Sequence, residues 1–408
     1  MLAGAMPRPS PLAVVEVGTT QAVCLVGVPQ TDGPVQILGA GVNPLVGIRK
    51  GEIHNMPDAV TGVRTAIDKA EKAAGFPLAD VWLVISGGHV QADIVSGTVY
   101  TEAHTVSPEN LTSAVQMANT NSQAALPERA ILHLVPQNYV VDDKQHIASP
   151  AGLPGRKVDA RVLTVHADAA VVANAHKLIQ EAHLDVRGHL FSAICAAEAS
   201  LTEEQRRGGA LLLNLGGGTT SYVVYADNLV VAAGSIPVGG DHVTNDISHA
   251  FHLTFKSAEA LKLASGSAIV DADALGQRVA VPEASSVTSS TPVSLHDLQT
   301  VINARMDELF GVVLDKLGPD GSVPCVVLVG GGALLKGVDT LASRVFRCRC
   351  TCGGLPEGVS IPDLSGPEAA TTYGAFAVAQ RELAELGDSS APQSLWGRLF
   401  GKPRGTIR

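Results

Sequence analysis

An α/β fold with at least two core-bearing units is predicted by three features of this sequence: its length, its composition and an internal repeat. At 408 residues the chain exceeds the roughly 250–300 at which one hydrophobic core stops growing. Apolar residues make up 46%, charged ones 17% and aromatics 4%, so the cores must be built from Val, Leu, Ile and Ala between short turns. The repeat is the most informative feature. Residues 12–28 read LAVVEVGTTQAVCLVGV and residues 210–228 read ALLLNLGGGTTSYVVYADN, each an apolar strand, a Gly/Thr turn and a second apolar strand. Successive N–H groups in such turns converge on an anion, and two of them can grip a polyphosphate from opposite sides.

The other elements follow in chain order. Residues 58–74 space their apolar positions as a helix and stop at Gly75. Ser107-Pro108-Glu109 supplies a cap, a first-turn proline and a first-turn acid for a second helix. Residues 281–292, rich in Ser, Thr, Pro and Val, predict an exposed loop with at most one short strand. Ser294-Leu295-His296-Asp297 reads as a capping box opening a long helix to Leu317, with Gly318 behind it. A third glycine cluster, VLVGGGALLKG at 327–337, follows an apolar strand and precedes a helix near 339–346, where open α/β sheets hold ligands. Pro367 begins a last helix that ends near Leu386.

Several function classes are set aside. The formal net charge of −10, with no basic face before the end of the chain, argues against nucleic acid as a partner. Six cysteines in a chain of this size suit a reducing, cytoplasmic setting, and no apolar run reaches the length of a membrane span. The first eleven residues lack both a basic start and a long apolar run, so the expectation is a protein neither secreted nor integral. Neither GxxxxGK[ST] nor GxGxxG occurs at a strand-to-helix turn. Cys348, Cys350 and Cys352 alternate, but their spacing fits no common zinc pattern and predicts packing on a strand. The histidines show no HExxH, and no GxSxG occurs.

The order of two phosphate hairpins and a glycine-rich loop resembles the actin/Hsp70 superfamily. Within it, four segments are similar to the FtsA family of bacterial cell-division proteins: IPVGGDHVTNDI at 236–247, AEALK at 258–262 leading to Gly266-Ser267-Ala268, VISGGH at 84–89, and ILHLVPQNYVVD at 131–142. The resemblance spans essentially the whole chain. It implies an actin-like, ribonuclease H-like duplicated fold of two lobes, an inserted FtsA-type subdomain and a C-terminal amphipathic helix. The pilus-assembly protein PilM, and a true ATPase or phosphotransferase of the same superfold, stand as alternatives. The implied division is lobe 1 at 1–85, the inserted subdomain at 86–163, lobe 1 again at 164–208, and the lobe 2 core at 209–246. A small lobe 2 subdomain at 247–296 follows, then lobe 2 core at 297–363, a closing helix of lobe 1 at 364–387, a linker at 388–394 and a tail at 395–408.

The resemblance also implies a site for ATP and Mg²⁺. Gly18, Thr19 and Thr20 face the phosphates from one side, and Gly216, Gly217, Gly218, Thr219 and Thr220 from the other. Glu259 and Lys262 approach ribose and base, and Gly331, Gly332 and Ala333 pack against adenosine. Where the family usually carries an Asp on each hairpin to hold Mg²⁺ through its waters, this chain has Glu16 and Asn214, which removes one charge. Position 221, commonly Asp, is Ser; Gln21 stands where Lys is common; and the stretch Phe191-Ser192-Ala193-Ile194-Cys195 lacks a water-positioning carboxylate. The expectation is ATP binding with weak or absent hydrolysis, and no residue is assigned as catalytic.

After the linker DSSAPQS, Leu395, Trp396, Leu399 and Phe400 share one face of a helix, with Arg398, Lys402, Arg404 and Arg408 basic and no acid after Asp388. The family match reads this as a membrane-targeting helix for an anionic surface. The partners implied are the C-terminal peptide of FtsZ, docking on 247–296, further copies of the chain in a filament, and other divisome proteins. The implied location is the cytoplasmic face of the inner membrane at midcell.

Overall fold

The structure is a computed structural model and describes residues 10–30, 33–102, 104–144, 146–282, 292–318 and 323–387. The tail residues Leu395, Trp396, Arg398, Leu399, Phe400 and Lys402 lie outside the described residues. Among the described residues, no helix is long and apolar enough to cross a membrane.

Two five-stranded sheets share one topology. The first runs Asp185–Phe191, Asp80–Ile85, Leu12–Val17, Gln21–Val28, Gln36–Pro44, and the second Arg349–Cys352, Cys325–Val329, Ala210–Leu215, Thr220–Ala226, Leu229–Ile236. In each, the middle strand turns back as a hairpin into a third antiparallel strand, while the two strands on its other side run parallel to it. The duplication read in the hairpins therefore extends through whole sheets. The strand Ala210–Leu215 is buried along its full length, as an apolar run covered on both faces must be.

Helix limits follow from local chemistry. Met56–Ala74 starts two residues earlier than its spacing predicts, because Asn55 caps it by accepting from the Asp58 N–H; it ends on Gly75 at φ 84°. Leu295–Leu317 is capped by Ser294, which accepts from Asp297 N–H, and stops at Gly318. The reciprocal bond of a capping box is not made, and Ser294 lies opposite Arg278 in a short two-stranded ribbon. That ribbon, Arg278–Val279 with Val293–Ser294, brackets the loop expected at 281–292; residues 283–291 lie outside the described residues.

Between lobes of the chain sits a four-stranded antiparallel sheet, ordered Gln91–Tyr100, Lys157–Asp168, Arg129–Val141, His146–Ile147, with helix Pro108–Ala125 on one face and a small core around Val106, Ala114 and Val158. The expected limit at 163 falls inside the continuous strand Lys157–Asp168. That strand begins in the small core, and its last buried residues Leu163, Val165 and Ala167 belong to the main one. The last helix, Gly366–Gly387, packs along Ser192–Ser200 and against the first sheet, with the Val35 N–H donating to Tyr373 Oη at 3.0 Å.

Candidate functional site

The two hairpin turns are closed in the same way: Gly18 N–H donates to Gln21 O at 3.0 Å, and Gly216 N–H to Thr219 O at 3.0 Å. Their tips meet. A Cβ on Gly217 would lie 2.6 Å from Thr20 Cγ2 and one on Gly218 2.5 Å from Thr19 Oγ1, so the approach requires glycine. The helix Gly240–Phe251 holds the second turn, its Gly240 and Asp241 N–H groups donating to Gly216 and Gly217 carbonyls at 2.9 and 2.8 Å. The N–H groups of Thr19, Thr20, Gly217 and Gly218 make no internal hydrogen bond among the described residues. Three of these donors, on Thr19, Thr20 and Gly217, belong to residues that line one cavity.

That cavity, of about 870 Å³, lies between the lobes and is of a size that suits a small-molecule ligand. Gly18, Thr19, Thr20, Gly216, Gly217, Thr219 and Thr220 line it, as do Glu259, Lys262, Gly331, Gly332, Glu16 and Asn214. Two residues of the predicted set do not. Ala333 is 5% exposed, because the 3-10 turn Gly331–Leu334 directs its methyl into the second lobe's core. Gly218 lines a smaller recess on the far side of the turn.

Glu259 and Lys262 sit on helix Phe255–Ser265 and are not a solvated helix face. Lys262 Nζ pairs with Glu259 at 2.7 Å and donates to Thr244 Oγ1 at 2.9 Å and Gly240 O at 3.2 Å, while Thr244 also donates to Glu259. On the cleft floor Glu16 makes no hydrogen bond or ion pair among the described residues, and burial pushes its carboxyl up to about 8. A carboxyl left in this condition suits a cation beside a phosphate chain, since Mg²⁺ keeps most of its waters and needs one or two carboxylates. Asn214 fits that role less well: its Nδ2 donates to Thr371 Oγ1 at 3.0 Å, tying the second sheet to the closing helix. Gly330, at φ 83°, accommodates this amide, since a Cβ there would lie 2.5 Å from Asn214 Oδ1.

Where a water-positioning carboxylate was sought at 191–195, the structure has a buried hydroxyl chain, Ser192 Oγ to Ser221 Oγ at 3.3 Å and Ser221 to Ser235 at 2.7 Å. Sequence reasoning missed Asp241, which lines the cleft and whose carboxyl is raised by burial against the pull of Lys262. It also missed Thr371. Asp241 had a readable signal, a Gly-Gly-Asp between a strand and a helix start. Thr371 had none, because its partner lies 157 residues away.

Comparison with known proteins decides the family. A family model described as cell division protein FtsA matches residues 211–374, and one described as the SHS2 domain inserted in FtsA matches 87–166. The cell division protein FtsA of Escherichia coli (strain K12) is 32% identical over 353 residues, which is 83% of this chain and 82% of that protein. The chain belongs to the FtsA family. The FtsA of Neisseria meningitidis serogroup B is 29% identical over 365 residues, 87% of each chain. Solved structures give the same fold at lower identity. The PilM-PilN type IV pilus biogenesis complex contains a chain 17% identical at a TM-score of 0.63, covering 90% of this chain and 98% of that one. MreB5 of Spiroplasma citri bound to ADP is 14% identical at 0.54, covering 94% and 100%. These likenesses show an actin-like fold, with the FtsA-type insert expected from residues 84–89 and 131–142. The pilus alternative rests on shape alone, and the FtsA reading stands as an actin-like cell-division protein.

Proposed function

We propose that this FtsA-family chain binds ATP with Mg²⁺ between its lobes, assembles with further copies, and ties FtsZ to the membrane. The observation that carries the nucleotide reading is the pair of duplicated turns presenting three unused N–H donors, those of Thr19, Thr20 and Gly217, to one cleft. Glycine-lined backbone donors and threonine hydroxyls suit phosphate oxygens. Glu16 supplies the carboxylate for a hydrated Mg²⁺, and Glu259 with Lys262 stands beside the ribose. Gly331 and Gly332 border the base. A solved fold neighbour carries ADP, which agrees with this reading.

Hydrolysis is proposed to be slow or absent. A bound Mg²⁺ would supply charge neutralisation at the phosphates, but Asn214 contributes no charge and the hydroxyl chain at Ser192, Ser221 and Ser235 contains no general base of suitable strength. The small helical unit at 247–296 is proposed to receive the FtsZ C-terminal peptide, and the tail at 395–408 an anionic membrane surface, which places the protein on the cytoplasmic face at midcell. Other divisome proteins would join there.

Two measurements test this. A fluorescent ATP analogue with Mg²⁺ should bind saturably and be displaced by ATP; no binding overturns the cleft reading. Liposome co-sedimentation should pellet the full chain, more strongly with ATP, and leave behind a chain truncated after Ser394. Equal behaviour of the two chains would overturn the membrane reading.

A further inference from the structure

Behind the Gly216–Thr220 turn lies a second recess of about 430 Å³, separated from the main cleft by Asp241, which lines both. Its walls come from both lobes. The first lobe contributes Arg49 and Lys50, at the tip of the ribbon formed by Ile48–Arg49 and Glu52–Ile53. Lys50 adopts φ 54°, and its backbone N would lie 2.9 Å from a Cβ on Gly218, so this tip is pressed against the phosphate turn. The second lobe contributes His242 and Asn245 from helix Gly240–Phe251, and Phe255 closes one side.

The polar groups here are mostly donors. Arg49 and Lys50 form no ion pair among the described residues. The Gly239 N–H donates to His242 Nδ1 at 3.2 Å, so the neutral ring carries its proton on Nε2. Burial, then the nearby Lys50 and Arg305, hold that imidazole below the usual histidine range. Two permanent cations face one acid, Asp241, which also faces Lys262 in the main cleft. The first N–H groups of the helix are already bonded to Gly216 and Gly217, which leaves the side chains to hold any ligand.

We propose that this recess is an oxyanion site spanning the two lobes, which takes a phosphate group between Arg49 and Lys50 on one side and His242 and Asn245 on the other. An anion held there ties the Lys50 ribbon of the first lobe to the second lobe, which also forms the other wall of the main cleft. Linkage then requires that phosphate in the recess and nucleotide in the cleft strengthen one another. The inference goes beyond the nucleotide reading and uses it only to supply the second ligand.

The test is titration of the full chain with a fluorescent ATP analogue at fixed ionic strength, with and without inorganic phosphate. The wild type should bind the analogue about fivefold more tightly in phosphate. Arg49→Gln and Lys50→Asn should abolish that gain; Asn suits the left-handed backbone at this position. Weaker analogue binding in phosphate means competition inside the cleft and overturns the proposal, as does an equal effect from matched sodium chloride or an unchanged gain in both variants. Thermal denaturation with phosphate alone separates the two readings: a shift lost in both variants supports the recess even if no nucleotide binds. Glycerol 3-phosphate and a soluble glycerophosphodiester are titrated in parallel. A response to the diester supports the site and assigns a lipid head group, and a response to inorganic phosphate alone supports it and assigns the free anion.

Discussion

Glu16 offers the sharpest test of the cleft's physics. An ordinary glutamate titrates near 4.5, and burial holds this one up to about 8. At about 1.4 kcal/mol per pH unit, that gap is a penalty of roughly 5 kcal/mol on the charged form. The residue is only partly shielded and the cleft is open to water, so about 2 kcal/mol is the expected realised value. The sign follows from proton counting. Between pH 4.5 and 8 the unfolded chain has released a proton that the native chain keeps, so native stability declines as pH rises through this window and is fully present below it. Glu16→Gln removes the group. In metal-free buffer the variant should exceed the wild type by less than about 1 kcal/mol at pH 5 and by about 2 kcal/mol at pH 8.5. The assay is urea unfolding of a chain truncated after Ser394, in which Trp82 of the first sheet is the remaining tryptophan of the two. A variant no more stable than wild type at pH 8.5, or a gain equal at both pH values, would refute the reasoning.

Three further outcomes follow from contacts described above. Gly218→Val places a branched side chain against Thr19 and the Lys50 backbone, so binding of a fluorescent ATP analogue should weaken at least about tenfold while the circular dichroism spectrum is unchanged. Asn214→Asp adds a charge to the cleft that Glu16 also lines, at the cost of the donor to Thr371, so nucleotide affinity should become several-fold more dependent on Mg²⁺, as measured with and without a chelator. Arg305 forks onto Asp246 at 2.5 and 3.1 Å and reaches Glu308 at 2.7 Å; Arg305→Ala should cost about 1 kcal/mol in the second lobe, read by hydrogen exchange in helix Leu295–Leu317.

What the sequence could disclose depended on whether an interaction is local. Both Gly/Thr hairpins were legible because strand, turn and strand are contiguous, and Gly75 and Gly318 marked helix ends for the same reason. The FtsA-type insert was legible from residues 84–89 and 131–142 by resemblance. Ala333 was misplaced because a run of glycines gives no direction, whereas a 3-10 turn sends adjacent side chains to different sides. Asp241 was quoted as a family mark without its burial being foreseen, since that burial comes from the packing of Gly240–Phe251 onto the second turn. Thr371 and the Ser192–Ser221–Ser235 chain depend on strands and helices brought together from distant parts of the chain, which no window of sequence contains.

The closing helix Gly366–Gly387 has a consequence for how the molecule is made. The Leu12–Val17 and Gln21–Val28 hairpin leaves the ribosome long before this helix, yet Phe376, fully buried, covers Gly27, and Tyr373 binds Val35 from 338 positions away. At bacterial synthesis rates of about 5–20 residues per second, one face of the earliest sheet therefore stays bare for tens of seconds. Throughout that interval the nascent chain exposes an apolar sheet that a chaperone can shield, and a stop codon anywhere before Tyr373 would leave that face uncovered in a released chain.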